Sequence, residues 1–258
     1  MNTPTNAVTT VVLTKNEAQQ LPSLIENIKL FTNIILIVDS GSTDNTVEIA
    51  RALGATVVYR AWTDSFAEQR NFALQHVNTP WIFYLDADER VTPELAVSIK
   101  QTVSQAPLTE AYTMERRSVI FNKELRKGAM KPDFVPRLFP TKDVTWVNKV
   151  HERPITNLPI KKLPSYLKHF TYSSWEQYWS KFNQYTTIWA ENAYTNGKRT
   201  SFSSALSHSL LGFLKMGLLN GGFFEGKLGF TFTYYHAVYT FTKYIKLLEL
   251  MREKGSTK

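Results

Sequence analysis

The segment WIFYLDADER occupies residues 81–90 and decides the fold. Its first five residues, Trp81–Leu85, form an uninterrupted apolar run of a length typical of a buried strand. Three acids follow within four positions, Asp86, Asp88 and Glu89. In parallel sheets, ligands bind beyond the carboxyl ends of the strands. The segment therefore predicts a buried strand with a polar binding site at its end.

Short apolar runs and helical patterns alternate around this segment. Strands are predicted at Val8–Leu13, Ile34–Val38 and Val57–Tyr59. Helices are predicted at Leu21–Leu30, at about Val47–Leu53 with Gly54 closing the helix, at Phe66–His76, and from Thr92-Pro93 onward. This alternation predicts an α/β fold with a mainly parallel central sheet.

The rhythm changes after about residue 106. Ala111–Phe121 and Val135–Phe139 look like strands, and the chain becomes helical and unusually aromatic from Ser174. We expect a catalytic domain over residues 1–165 and a helical, aromatic-rich C-terminal extension over residues 166–258.

Composition narrows the class of partner. The net charge of +8 suggests an anionic one: nucleic acid, a nucleotide diphosphate or an anionic membrane surface. The chain has no cysteine, which excludes disulfides and thiolate metal sites and fits a reducing compartment. The longest charge-free runs of the C-terminal half have 15 residues, short of the roughly 20 that a membrane-spanning helix needs. We expect a soluble or peripheral protein.

Polar clusters follow three of the predicted strands: Thr14–Glu17, Asp39–Asp44 and Asp86–Arg90. Sheet topology should bring them to one crevice. Thr14–Glu17 and, within the second cluster, Ser42-Thr43-Asp44 could instead be helix N-caps, and the third cluster could be a solvated acidic turn. Close carboxylates repel one another unless a cation or donors compensate. Mg²⁺ or Mn²⁺, bound by one or two carboxylates and by phosphate oxygens, would do so.

These clusters resemble the family 2 glycosyltransferases of GT-A fold, which is a Rossmann-type sandwich. The resemblance is carried by VVLTKNE at 11–17, IVDSGSTDNT at 37–46, QRN at 69–71 and WIFYLDADER at 81–90. It covers nearly all of the first hundred residues. A looser match follows through Gly128, Pro132-Asp133, Arg137-Leu138-Phe139 and Val150-His151-Glu152. That part is similar to the β-1,4-glucosyltransferases that add glucose, or a similar hexose, to heptose of the lipopolysaccharide inner core.

The resemblance implies a UDP-sugar donor and a divalent metal, Mg²⁺ or Mn²⁺. The implied nucleotide-sugar site consists of Thr14, Asn16, Glu17, Asp39, Ser42, Arg70, Asp86 and Ala87. Thr14 and Glu17 would line the uracil and ribose pocket, and Asp39 would bond the uracil edge. Arg70 would lie near the diphosphate, with a surface helical charge as the alternative.

The same resemblance implies a metal site in the acidic segment. Asp88 would be the principal ligand, and Asp86 would be divided between ribose and metal. His151 is a further candidate ligand, with a structural role as its alternative.

An inverting, single-displacement transfer needs a carboxylate that takes the proton of the acceptor hydroxyl. Glu152, after a strand-like Val147–Val150, is the first candidate for this base. Asp133, in the turn at residues 131–133, is the second. Either residue could instead form an exposed salt bridge. A β-linked product from an α-linked donor is what the resemblance implies.

The aromatic C-terminal region carries interleaved lysines at Lys215, Lys227, Lys243 and Lys246. This pattern suits a membrane headgroup contact, internal packing or an acceptor pocket. We expect a lipid-linked saccharide acceptor, no nucleic acid, and a cytoplasmic location, peripheral on the inner membrane.

Three alternatives remain. Transfer to polyprenyl phosphate or another envelope glycan is the runner-up within glycosyltransferases. A nucleotidyltransferase is disfavoured because Thr14–Ala18 contains no glycine. A basic module that binds membrane or nucleic acid would not explain the acidic residues that follow the predicted strands.

Overall fold

Four parallel strands confirm the predicted α/β class. The computed structural model describes residues 6–149 and 152–255. In it, β1 (Val8–Thr14) lies between β2 (Ile35–Asp39) and β4 (Trp81–Tyr84), and β3 (Thr56–Tyr59) pairs with the outer side of β2. These pairings are all parallel. Their carboxyl ends therefore lie at one edge, where Thr14 is paired with Asp39.

The later strands add antiparallel pairings, so the sheet is mixed rather than mainly parallel. Its order is β3-β2-β1-β4-β8-β6-β11-β5. The later strands are β5 (Glu89–Val91), β6 (Ala111–Ile120), β8 (Asp133–Pro140) and β11 (Ile160–Tyr172). β8 runs antiparallel to β4 and β6, and β5 runs antiparallel to β11. The sequence did not predict β11, because Pro164 and scattered lysines interrupt its apolar pattern.

Helices cover both faces of the parallel strands, as a Rossmann-type sandwich requires. They are α1 (Leu21–Ile28), α2 (Thr46–Ala52), α3 (Phe66–Leu74) and α4 (Pro93–Gln105). Along β4, Trp81 and Phe83 enter one core layer with α1 and α4, while Ile82 and Tyr84 enter another with α3. This alternation follows from the two-residue period of a strand. The predicted helix ends are confirmed: the Thr92 hydroxyl caps α4, and Gly54 follows α2 with φ +89°.

The chain folds into two compact units. The first contains the residues up to Arg116 and Asp133–His169, and the second contains Arg117–Pro132 and the residues from Phe170 onward. The predicted boundary at residue 165 lies inside β11. The first unit also contains a separate two-stranded sheet of β9 (Thr145–Val147) and β10 (Arg153–Ile155).

The second unit confirms the predicted helical, aromatic C-terminal region. It contains β7 (Lys123–Leu125), α5 (Trp175–Thr195), α6 (Phe202–Leu214) and α7 (Gly226–Gly255). A π-helical turn, Lys215–Leu219, continues α6. Tyr178 and Phe232 pack edge to face in the core, with ring centroids 5.3 Å apart. Among the described residues, no helix is both long and apolar enough to span a bilayer.

A buried ion network joins the elements around the acidic segment. Arg137 lies on β8 with 6% of its side chain exposed, and its Nη2 is 2.5 Å from Asp86 Oδ2 and 2.6 Å from Glu89 Oε1. Glu89, at the start of β5, is fully buried and also accepts from Arg116. Arg70 of α3 donates to Asp86 Oδ1 at 2.8 Å. Arg137 therefore connects β8 to the end of β4 and the start of β5 through carboxylates that could not be buried unpaired.

We predict that Arg137→Met lowers the free energy of unfolding by about 3–5 kcal/mol, because it leaves the buried Glu89 carboxylate without its main partner. Urea unfolding followed by circular dichroism measures the change. Lys29→Met is the control, since Lys29 pairs with Glu26 at the exposed surface and its loss should cost no more than about 1 kcal/mol. Equal destabilisation by the two variants would contradict the structural role of Arg137.

Candidate active site

Thr14 and Asp39 form the base of a cleft at the ends of β1 and β2. The Thr14 hydroxyl donates to Asp39 Oδ2 at 3.1 Å. The amides of Gly41 and Ser42 donate to Asp39 Oδ1 at 2.9 Å, and the Ser42 hydroxyl donates to Oδ2. Burial raises the pKa of Asp39, but these donors outweigh it and hold the pKa below its ordinary value. A carboxylate has about four acceptor sites, so a uracil contact would have to share one of them.

Side-chain hydrogen bonds join the loop after β1 to the loop after β2. Asn16 has a left-handed backbone, φ +58°, and its Oδ1 accepts from the Thr43 amide at 2.8 Å. The Ser42 hydroxyl accepts from the Asn16 amide at 2.9 Å. Asp44, rather than Ser42, accepts from the Thr46 amide in the first turn of α2. The N-cap of α2 is Asn45, which has no side-chain cap, so the capping alternative is wrong for Ser42-Thr43-Asp44. Asp44 instead fixes the turn before the helix, while Asn16 and Ser42 hold the two loops together.

A cleft of about 320 Å³ opens beside these loops. Its lining residues are Leu13, Thr14, Lys15, Glu17, Ser40, Trp62 and Phe66. Trp62 and Phe66 meet edge to face with ring centroids 4.7 Å apart, and both are partly exposed. Aromatic faces beside hydroxyl and carboxylate groups can hold a flat polar ring. Sequence reasoning missed both aromatics, although Trp62 in the polar loop after β3 and Phe66 at the start of α3 could have indicated them.

The acids of the segment Asp86–Glu89 have different surroundings. Asp86 has an arginine donor on each carboxylate oxygen. Burial raises the pKa of Asp86, but the charges of Arg137 and Arg70 outweigh it and hold the pKa well below its ordinary value. Asp88 is 41% exposed, and its Oδ2 lies 3.2 Å from Nε2 of His169. The solvated-turn alternative is therefore wrong for Asp86 and Glu89.

His169 is a further residue near Asp88 that sequence reasoning missed. It lies on β11, opposite Glu89 in the strand pairing and 81 positions from Asp88 in the chain. No local motif marks it. The carbonyl of Ala87 accepts from Arg90, so Ala87 helps to fix the turn rather than offering a free acceptor.

The donors near Asp88 fit a cation that completes its coordination with substrate. Asp88 and His169 supply one carboxylate and one imidazole, and hard cations in nucleotide sites often use few protein ligands together with phosphate oxygens. Within residues 6–149 and 152–255, no group of three or more acids or histidines could hold a metal alone. Asp86 is less suited to the divided role predicted for it, because arginines occupy both of its oxygens. His151 lies outside the described residues.

Arg70 contacts both Glu152 and Asp86 of the acidic segment. Arg70 is 4% exposed, so the surface-charge alternative is wrong. Its Nη2 lies 3.9 Å from Glu152 Oε1, and its guanidinium stacks 4.6 Å from the Trp146 ring centroid. Glu152 is 25% exposed and directly precedes β10. The strand predicted before it, Val147–Val150, differs from the observed β9, which ends at Val147.

Asp133 is placed differently from its prediction. It begins β8 rather than lying in a turn. Both of its oxygens accept from Arg116, at 2.8 and 3.1 Å, and more than half of its side chain is exposed. The salt-bridge alternative is therefore correct for Asp133, and Glu152 is the better-placed carboxylate.

Comparisons with known proteins relate this chain to glycosyltransferases. Residues 9–127 match the sequence model of glycosyl transferase family 2. The chain is 26% identical to an uncharacterized glycosyltransferase of Rickettsia conorii, over 98% of this chain and 93% of the relative. It is 27% identical to the lipopolysaccharide core biosynthesis glycosyltransferase LpsC of Rhizobium meliloti, over 92% of this chain and 90% of the relative.

Among solved structures, glucosyl-3-phosphoglycerate synthase of Mycobacterium tuberculosis, in complex with Mn²⁺ and UDP-glucose, is 21% identical. Its TM-score is 0.37, and the match covers 43% of this chain and 44% of that one. The family match over residues 9–127 contains the strand-end residues Thr14, Asp39, Asp86 and Asp88. The chain carries a glycosyl transferase family 2 domain and is a glycosyltransferase.

Proposed function

We propose that this chain is an inverting, metal-dependent transferase that moves a hexose, with glucose expected, from a UDP-sugar to a heptose of the lipopolysaccharide inner core. One observation carries the donor side: Asp88 remains exposed beside His169, while arginines hold the neighbouring Asp86. The acceptor class is supported by similarity along 92% of the chain to a protein named for lipopolysaccharide core biosynthesis.

The nucleotide would lie in the cleft beside Thr14 and Glu17. Trp62 and Phe66 give this cleft an aromatic wall for uracil. Asp39 would act mainly by fixing the loop of Gly41 and Ser42, since its acceptor sites are already used. Arg70 would contribute positive charge on the diphosphate side, where its planar donors suit phosphate oxygens.

Asp88 and His169 would hold Mg²⁺ or Mn²⁺ with the donor phosphates. The ion would supply charge neutralisation for the departing nucleoside diphosphate. Asp86 stays ionised between Arg70 and Arg137, and it would fix the turn that presents Asp88 and contact the ribose at its edge. This division of roles follows from the different partners of the two carboxylates, which are two arginines for Asp86 and His169 for Asp88.

Glu152 would accept the proton of the attacking acceptor hydroxyl. As that oxygen bonds to the anomeric carbon, the bond from this carbon to the diphosphate breaks, and the stereochemistry inverts. Arg70 Nη2 lies 3.9 Å from Glu152 Oε1, which places this carboxylate beside the proposed diphosphate side of the site. A base must lie within hydrogen-bonding reach of the hydroxyl, and Glu152 is the partly exposed carboxylate beside Asp86 and Arg70.

Two other functions are weighed against this one. A non-enzymatic binding module does not hold, because the chain is a glycosyltransferase. Transfer to polyprenyl phosphate or another envelope glycan is tested by offering each acceptor in turn. The cytoplasmic, membrane-peripheral location belongs to the proposal because a lipid-linked acceptor requires a membrane surface.

We predict that UDP-glucose with Mn²⁺ raises the melting temperature of the protein, and that Asp88→Ala removes the metal-dependent part of this shift. Ligand at about 100 times its Kd stabilises by about 2.7 kcal/mol, which a thermal-shift assay detects. Asp143→Ala is the control, because Asp143 is exposed in a different part of the first unit, in a turn before β9. The donor assignment fails if no nucleotide stabilises the wild type at millimolar concentration. Retention of the full metal effect in Asp88→Ala would overturn the ligand assignment.

We predict that Glu152→Gln lowers kcat by about 10²–10⁴-fold, the usual contribution of general base catalysis. The thermal shift with UDP-glucose should stay near that of the wild type, since the base acts on the acceptor. Initial rates with a heptose-bearing core acceptor measure the loss. Asp133→Asn serves as the matched control and should retain most activity, because Asp133 is paired with Arg116. Loss of activity in Asp133→Asn alone would reverse the assignment.

A further inference from the structure

The second unit exposes a continuous apolar face along α6 and its π-helical turn. We call the following residues the leucine face: Leu206, Leu210, Leu211, Leu214, Leu218 and Leu219. All six are exposed, from 42% at Leu214 to 83% at Leu219. Within α6, Leu206, Leu210, Leu211 and Leu214 span about 140° of the helix circumference at 3.6 residues per turn. Monomeric soluble proteins rarely expose contiguous apolar patches of this kind without a partner.

The opposite side of α6 is the side that packs within the unit. Ala205 is fully buried, the Ser209 hydroxyl donates to the Ala237 carbonyl of α7 at 2.8 Å, and Gly212 faces the His236 ring. A surface helix normally buries its large apolar residues and exposes its small polar ones. Here the arrangement is reversed, because small residues allow the close approach to α7 and the leucines point outward. The leucines therefore contribute little to the folding of this unit.

The stretch of chain that carries the leucine face is almost entirely positive in charge. Between residues 192 and 248 the chain has six basic residues and a single acid, Glu225. Lys198, Arg199, Lys215 and Lys227 are exposed. Glu225 accepts a hydrogen bond from the Arg126 amide at 2.8 Å. An apolar face with basic residues at its edge matches the two layers of an anionic membrane surface, which are acyl chains and negatively charged headgroups.

The same charges disfavour a second copy of this chain as the occupant. A two-fold contact joins the same surface of both molecules. Lys215, which lies between Leu214 and Leu218, would then be brought near the basic residues of the other copy. No acid in residues 192–224 could pair with it. A lipid surface places opposite charge at the same position.

We infer that the leucine face inserts into the interfacial region of an anionic bilayer, with Lys215 and Lys227 bound to lipid phosphates. The inferred insertion assigns the membrane contact of the proposed function to the leucine face. It rests on the proposed function only for the reason why the protein would bind a membrane. The evidence itself concerns the second unit and does not depend on the donor or the acceptor.

Flotation of the full-length protein with lipid vesicles tests this inference. The wild type should bind vesicles containing phosphatidylglycerol at least tenfold more strongly than vesicles of phosphatidylcholine alone. Leu211→Glu/Leu219→Glu should lower binding to the anionic vesicles at least tenfold, because carboxylates would have to enter the apolar layer. Lys215→Gln/Lys227→Gln should remove most of the preference for anionic lipid. Val97→Glu is the matched control, since Val97 is an exposed apolar residue of the first unit.

Two further measurements keep the outcomes distinct. The leucine variant should keep the wild-type melting temperature and the wild-type UDP-glucose shift, because its side chains are exposed and lie outside the donor cleft. The inference is overturned if the wild type does not float, or if the leucine variant floats as well as the wild type. A lipid-free dimer that Leu211→Glu/Leu219→Glu dissociates, seen by sedimentation, would assign the face to a second copy instead. None of these results bears on donor binding, which the nucleotide shift measures separately.

Discussion

The contact of Arg137 with Asp86 and Glu89 is the interaction on which the transferase site depends. Glu89 is fully buried at the start of β5, where an unpaired carboxylate would be severely destabilising. Arg137 comes from β8, so the ion network requires β8 to lie beside β4, the last of the four parallel strands. Because arginines neutralise Asp86 and Glu89, Asp88 is left as the exposed carboxylate of the turn. The chemistry assigned to Asp88 thus depends on residues that do not contact it.

The donor side follows a similar arrangement, in which polar groups fix one another before any ligand binds. Asp39 is held by Thr14 and by the loop of Ser42, while Asn16 joins this loop to the end of β1. Loops fixed in this way lose little conformational entropy when a nucleotide binds. In the proposed function, the aromatic residues Trp62 and Phe66 would provide the contact area for uracil. The cleft lining thus combines motif residues such as Thr14 and Glu17 with Trp62 and Phe66, which lie outside the motifs.

Apolar residues of the second unit have two separate uses. Tyr178 and Phe232 are buried and form its core. The leucines of α6 are exposed, although they belong to the same aromatic and aliphatic stretch of sequence. Composition alone therefore could not divide this region between internal packing and surface contact. The division is made by the small residues of α6, which let that side of the helix approach α7.

The sequence by itself determined the parallel strands, the helix ends at Thr92 and Gly54, and the polar residues at the strand ends. These features depend on local periodicity and capping, which act within a few residues. Only the tertiary structure decided which partner each acid has, because Arg137 and His169 lie 51 and 81 positions from Asp86 and Asp88. It also decided that the sheet is mixed, that Asp133 is a salt-bridge partner and that the leucines of α6 are exposed. Each of these depends on pairing between strands or helices distant in sequence, which no local pattern encodes.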